Sequence, residues 1–310
     1  GSPRRVAHAA LLVALFAYGI WASLSVDLRL TQAAWFLGTQ LVLLMKVHSF
    51  MAVTAELPQH TPTLRHLIYF LCAPTLVYAP SYPRTPNVRL YYVTEKVLAA
   101  VCTFTAMHVV CDTFIVPVLA RSTTLPAHDA VLELLLPMTL MWILLFYLLF
   151  DVVLSLLAEL TRFADRNFYG QWWNSTCFAA EFARTWNLPV SNWLRVHVYD
   201  EAQQRRRLGR GASMFVTFLL SAVVHEYFMV MLFRVVRPYL FAMQLSQLAL
   251  WWLFERLALR GTRAGNLIFW AGMITGIPLL TTLYCREAEI EATLRADPHL
   301  AVGDGGHSGD

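Results

Sequence analysis

His225 lies inside an apolar run, in Ser221-Ala-Val-Val-His225-Glu226-Tyr227. Histidine is the side chain whose intrinsic pKa suits it to take a proton from a hydroxyl near neutral pH. Ser221 precedes it by four residues, so on a helix the hydroxyl and the imidazole share a face. Glu226 adds a second ionisable group, and two such groups among apolar neighbours are expected to face a cavity rather than lipid. The plainer alternative is a packing histidine bonded to a neighbouring helix. A zinc-hydrolase reading fails, since H-E-x-x-H needs a second histidine one turn on and that position is Met229. Neither a G-x-S-x-G nucleophile elbow nor a P-loop occurs.

A second cluster runs Phe163-Ala-Asp165-Arg166-Asn-Phe168-Tyr169-Gly170-Gln171-Trp172-Trp173-Asn174, followed by Arg184-Thr-Trp186-Asn187. Aromatic residues at this density often form a belt at a membrane interface. A belt does not call for Asp165, Arg166, Asn174 and Asn187 among the rings. That mixture suits a packed loop closing over a polar ligand.

The elements that must position these residues are membrane helices. Of 310 residues, 57% are hydrophobic and only 14% charged, which is too apolar for a soluble domain of this length. A net charge of +4, with no basic groove, argues against nucleic acid as a partner. Five scattered cysteines without a C-x-x-C pair imply neither a disulfide framework nor a zinc site. Seven stretches are long and apolar enough to span: 6–26, 32–54, 93–119, 131–158, 211–236, 238–258 and 265–284. Each offers about 20 residues, matching about 30 Å of hydrocarbon. A further apolar stretch, 64–80, is interrupted by Pro74 and Pro80 and reads as a broken or interfacial segment. Counted from Gly211, His225 lies about 21 Å along its helix, near or past mid-bilayer.

With the N-terminus in the cytosol, sixteen arginines fall on the cytosolic side and six on the other. That bias is the positive-inside pattern, and it puts the polar connection 161–210 in the cytosol, where acyl-CoA and other nucleotides are found. The sequon Asn174-Ser175-Thr176 should then stay unmodified. The expected organisation is all-α, with a single membrane-embedded domain over 1–296 and a polar, disordered tail over 297–310.

Phe168-Tyr-Gly-Gln-Trp-Trp-Asn174 resembles the FYxDWWN signature of the membrane-bound O-acyltransferase superfamily, in its sterol and type 1 diacylglycerol acyltransferase branch. Ser221 to Tyr227 resembles the segment carrying that family's catalytic histidine. Lys46-Val-His-Ser-Phe50, Tyr69-Phe-Leu-Cys-Ala-Pro-Thr75, Ser81-Tyr-Pro-Arg84 and Phe163-Ala-Asp-Arg166 match as well, and are nearer to the sterol enzymes. The likeness covers roughly residues 35–290 and implies a polytopic transmembrane helical bundle. It places His225 as the catalytic histidine and Asn187 as the asparagine that accompanies it. Arg184, Tyr199, Arg210 and Ser221 fall on positions lining the acyl-CoA site. Three departures stand out. Gln171 replaces the acidic residue of the signature, Ser191 replaces a histidine near the CoA, and the stretch between Trp173 and Asn187 is one residue longer than usual.

The resemblance implies an O-acyltransferase of the endoplasmic reticulum membrane that esterifies a sterol hydroxyl from acyl-CoA. Diacylglycerol as acceptor, or a non-catalytic lipid transporter or scaffold, are the alternatives. No metal or cofactor is required, because acyl-CoA is itself a substrate. The partners are acyl-CoA, a lipid acceptor and the bilayer, with the oligomeric state left open, a homo-oligomer included. Burial is expected to keep His225 neutral, and Asn187 to donate its amide N–H to an oxyanion or to hold the thioester in place. Arg210 lies 15 residues, about 22 Å, from His225. That span is comparable to a pantetheine arm, so the CoA phosphates are expected near Arg210. Arg205, Arg206 and Arg207 are expected only to orient the chain.

Overall fold

The computed structural model describes residues 3–57, 61–121 and 123–296, so the polar tail expected over 297–310 lies outside the described residues. Among these residues no strand forms, only an isolated bridge between Arg84 and Phe163. Helix α1 (Pro3–Ser25) runs antiparallel to α2 (Leu30–Glu56), with His8 beside His48 and the Phe16 carbonyl beside Gln40. Gly19 makes that approach possible, because a Cβ there would collide with the Gln40 amide.

Helix α3 (Leu64–Cys72) ends on a buried cation. The Lys46 ammonium donates to the carbonyls of Phe70, Leu71 and Ala73 at 2.7, 3.1 and 2.6 Å. It satisfies acceptors that a helix C-terminus otherwise leaves open. The chain past Cys72 is irregular up to residue 89, as the prolines of the broken segment require.

Helix α4 (Leu90–Val110) continues through a wide π-helical turn, Cys111–Ile115, into α5 (Val116–Leu119). The wide turn ends two residues before Pro117, whose ring is incompatible with a regular i−4 bond. Helix α6 (Ala127–Phe146) likewise passes through a π-helical turn, Tyr147–Val153, into α7 (Leu154–Leu160). Lys96 of α4 pairs with Asp151 in that turn at 2.7 Å. Glu159, fully buried, takes Arg89 at 2.8 Å and Arg166 at 2.5 Å. A buried carboxylate is tolerable only when paired in this way.

The connection from 161 to 209 holds α8 (Ala183–Thr185), α9 (Leu188–Leu194), a π-helical turn at Arg195–Asp200 and α10 (Glu201–Gln204). Three long helices follow: α11 (Arg210–Phe233), α12 (Tyr239–Arg256) and α13 (Arg263–Ala296).

Ion pairs and hydrogen bonds sort the helix ends into two faces. On one, Glu56 meets Arg205, Arg89 meets Glu159, and Arg260 meets Glu181 and Glu255. On the other, Arg234 bonds the Ser23 carbonyl, Arg121 pairs with Glu133, Thr123 reaches Glu289, and Arg237 pairs with Glu287. This is the grouping on which the arginine asymmetry rests.

Among the described residues six helices, not seven, are long and apolar enough to cross a bilayer: Val6–Ser25, Leu30–Glu56, Leu90–Leu119, Ala127–Leu160, Arg210–Phe233 and Arg263–Thr293. The seventh expected span, 238–258, does form a helix, but Gln244, Ser246, Gln247, Glu255 and Arg256 make α12 too polar to qualify by composition. Its ends nevertheless lie on opposite faces. Tyr239 bonds Glu287 at one end, and Glu255 bonds Arg260 at the other. Tertiary packing against α11 and α13 carries this helix where its own hydropathy would not.

Candidate active site

His225 projects from α11 with its Nδ1 at 2.7 Å from the Ser221 carbonyl and 3.5 Å from the Ser221 hydroxyl. A carbonyl can only accept, so Nδ1 carries the hydrogen, and in the neutral ring Nε2 then keeps the lone pair. The i, i+4 relation therefore serves the tautomer through the backbone more than through the hydroxyl. Burial, expected to keep the ring neutral, is not what the structure shows: His225 is exposed on the helix surface. Nor does Glu226 share its surroundings. The Glu226 carboxylate turns away into the junction of α12 and α13, where it accepts from the Phe241 N–H at 2.7 Å and the Tyr284 hydroxyl at 2.8 Å.

Asn187 is the N-cap of α9, its Oδ1 accepting from the Val190 N–H at 3.1 Å. With the oxygen committed, the Nδ2 group has no hydrogen-bond partner among the described residues, so it remains a donor free for a ligand. No hydrogen bond joins Asn187 to His225. The turn Arg195–Asp200 and α10, which follow α9, pack on α11 on the side that carries Val216 and Leu220.

The aromatic loop holds Asn187 in place. Phe168 accepts from the Leu188 N–H at 3.0 Å, and Gly170 donates to the Thr185 carbonyl at 2.7 Å, so the motif segment clamps both sides of Trp186-Asn187. Phe168 is buried with Ala73, Phe150, Ala158 and Phe163, against Tyr169 and Trp186. Trp172 is buried against Trp142, Phe146, Phe182 and Trp270. Trp173 gives its carbonyl to Asn266 and Trp270. Asn174 donates to Gln171 at 3.0 Å, an acceptor role that Gln171 fills without the charge of the usual acid. These rings brace the Thr185–Leu188 segment that leads into α9. Beside them, burial pushes the Glu181 carboxyl up. Bonds from Thr176 and Arg260 outweigh that and hold it below the ordinary carboxylate range.

The remaining predicted residues are spread along the same face. Arg184 on α8 and Arg210 at the start of α11 are exposed, and neither has a hydrogen-bond or ion-pair partner among the described residues. Tyr199 accepts from Gln203 at 3.1 Å. The neighbouring basic run does more than orient the chain. Arg205 pairs with Glu56 and Glu201, and Arg206 lines a cleft of about 450 Å³ with His48, Trp193, His197 and Glu201. That cleft touches α11 at Val216 and Leu220, about 180° and 140° around the helix from His225.

Sequence reasoning missed the cluster behind this cleft. His197 bonds the Ser49 hydroxyl at 2.8 Å, Ser49 accepts from the Tyr78 N–H, and the His48 ring lies edge-on to His197. The only sequence signal was His48 inside the Lys46–Phe50 block. Burial, reinforced by His48, holds the His197 imidazole down at about 4.

The profile of the MBOAT family, membrane-bound O-acyltransferase, matches residues 10–286. Sterol O-acyltransferase 2 of Saccharomyces cerevisiae is 37% identical over 234 residues, 71% of this chain and 36% of that protein. Sterol O-acyltransferase 1 of the same yeast is 40% identical over 230 residues, 69% of this chain and 38% of that protein. Diacylglycerol O-acyltransferase 1 of Dictyostelium discoideum is 35% identical over 236 residues, 74% of this chain and 38% of that protein. The chain thus spans little more than a third of the length of these curated relatives.

Proposed function

The chain belongs to the membrane-bound O-acyltransferase family, and within it we propose that it transfers a long-chain acyl group from acyl-CoA to a sterol hydroxyl, as a multi-pass protein of the endoplasmic reticulum membrane. The observation that carries this is the Nδ1 contact of His225 with the Ser221 carbonyl at 2.7 Å, which in the neutral ring puts the hydrogen on Nδ1 and turns Nε2 to the acceptor hydroxyl as a base. The acceptor hydroxyl gives its proton to Nε2 as its oxygen attacks the thioester carbonyl. The Nδ2 group of Asn187 donates to the oxyanion that forms. The C–S bond then breaks, the CoA thiolate takes the proton from the imidazolium, and a steryl ester and free CoA remain. Arg210 and Arg184, exposed cations on the face assigned to the cytosol, suit the CoA phosphates.

A sterol acceptor is favoured by the blocks at 46–50, 69–75, 81–84 and 163–166 and not by overall identity, since the relatives named for sterols, at 37% and 40%, stand about level with the Dictyostelium diacylglycerol enzyme at 35%. Diacylglycerol remains the second reading, because that last relative lies so close. Purified protein given labelled oleoyl-CoA, with sterol and diacylglycerol in competition, should yield mainly steryl ester. A product that is mainly triacylglycerol would reverse the acceptor, and no ester from either would overturn the reading.

A further inference from the structure

We propose that Glu226 and Tyr227 are positioning residues that fix the rotation of α11 and so aim the Nε2 of His225. The proposal rests on the reading of His225 as the base. Consecutive residues leave a helix about 100° apart, so His225, Glu226 and Tyr227 point in three directions. Glu226 reaches α12 and α13. Its Oε2 takes the Phe241 N–H at 2.7 Å, and its Oε1 takes the Tyr284 hydroxyl at 2.8 Å. Phe241 lies in the first turn of α12, where N–H groups lack helical acceptors and the helix dipole favours an anion. Tyr284 is fully buried and accepts from the Leu240 N–H at 3.1 Å, so one cluster ties three helices together.

On the other side, Tyr227 reaches α1 and α2. Its hydroxyl donates to Gln40 Oε1 at 3.3 Å, and its ring lies 4.9 Å from that of Phe16. Gln40 in turn donates to the Phe16 carbonyl at 3.3 Å, through the gap that Gly19 leaves. Helix α11 is therefore gripped on two sides at the level of His225.

The imidazole itself has no such grip. Among the described residues its hydrogen bonds go only to Ser221, on its own helix, so its position follows the rotation of α11. At about 6 Å from the helix axis, a turn of roughly 10° moves Nε2 by about 1 Å. A misplacement of that size is enough to cost about 10²-fold in rate. The competing account is that Glu226 is a helix cap contributing to stability alone, or that its charge takes part in the chemistry.

The test compares Glu226→Ala, Glu226→Gln, Tyr284→Phe and Gln40→Leu in steady-state kinetics, with His225→Ala alongside and thermal unfolding as the folding control. Glu226→Ala should lower kcat by about 10²-fold with KM for acyl-CoA unchanged. Glu226→Gln should restore kcat to within about threefold, because the amide can still accept from Phe241 and donate to the Tyr284 oxygen. Tyr284→Phe and Gln40→Leu should each lower kcat by about tenfold or less. Glu226→Ala with Tyr284→Phe should be no worse than Glu226→Ala alone. Full turnover in Glu226→Ala, or losses confined to unfolding temperature, would overturn the proposal. So would Glu226→Gln as inactive as the alanine variant, which would give the charge a direct role. An active His225→Ala would instead remove the reading beneath it, whatever the other variants do.

Discussion

On the proposed mechanism Asn187 has two jobs that substitutions can separate. Its Oδ1 caps α9 through the Val190 N–H at 3.1 Å, and its Nδ2 is the donor assigned to the oxyanion. Aspartate is as good an N-cap as asparagine, so Asn187→Asp keeps the cap, removes the donor and adds a charge that opposes the oxyanion. Asn187→Ala removes both functions. Loss of a cap costs about 1 kcal/mol, or a fall of about 2 °C in unfolding temperature for a chain of this size. Loss of one preorganised donor costs about 10²- to 10³-fold in kcat. Asn187→Asp should therefore unfold near the wild-type temperature yet turn over about 10²-fold more slowly or worse. Asn187→Ala should show the same kinetic loss together with the lower unfolding temperature. Initial rates with labelled oleoyl-CoA, paired with thermal unfolding in the same detergent, read both quantities. Wild-type turnover in Asn187→Asp would refute the donor role and reduce Asn187 to a cap.

Arg210→Ala should raise KM for acyl-CoA several-fold with little change in the acceptor KM, whereas Arg206→Ala should act less, since Arg206 lines the cleft on the far side of α11. Equal effects would deny Arg210 a special place at the CoA phosphates. His197 is held at about 4 against an ordinary 6.5, so the unfolded chain binds its proton more readily and stability must fall as pH drops from 6.5 toward 4. His197→Gln should flatten that part of the curve of unfolding temperature against pH, and parallel curves for the two proteins would contradict it.

The spans were legible because lipid imposes about 20 apolar residues on each helix that crosses it. Helix α12 shows the limit of that signal. Its Gln244, Gln247 and Glu255 dilute the apolar run read as a span over 238–258, and the bonds at its two ends rather than its hydropathy set it between the two faces. The π-helical turns at 111–115 and 147–153 leave no mark on an apolar pattern either, apart from Pro117.

In the site, helical spacing correctly paired Ser221 with His225, but periodicity says nothing about whether the hydroxyl or the carbonyl receives Nδ1. Glu226 was read with His225 because the two are adjacent in the chain. On a helix adjacency means divergence, and the partners that draw Glu226 away lie 15 and 58 residues on. The aromatic signature was visible as a motif, whereas its work as a brace depends on contacts with Thr185 and Leu188 that only the folded chain brings together.

The central claim is that His225 is the base, and the most direct test is the acyl-transfer rate of His225→Ala at saturating oleoyl-CoA and sterol. The account predicts a fall of about 10²- to 10⁴-fold, with oleoyl-CoA binding and unfolding temperature near those of the wild-type protein. Retention of more than about a tenth of the wild-type rate, far above what general-base loss allows, would contradict it.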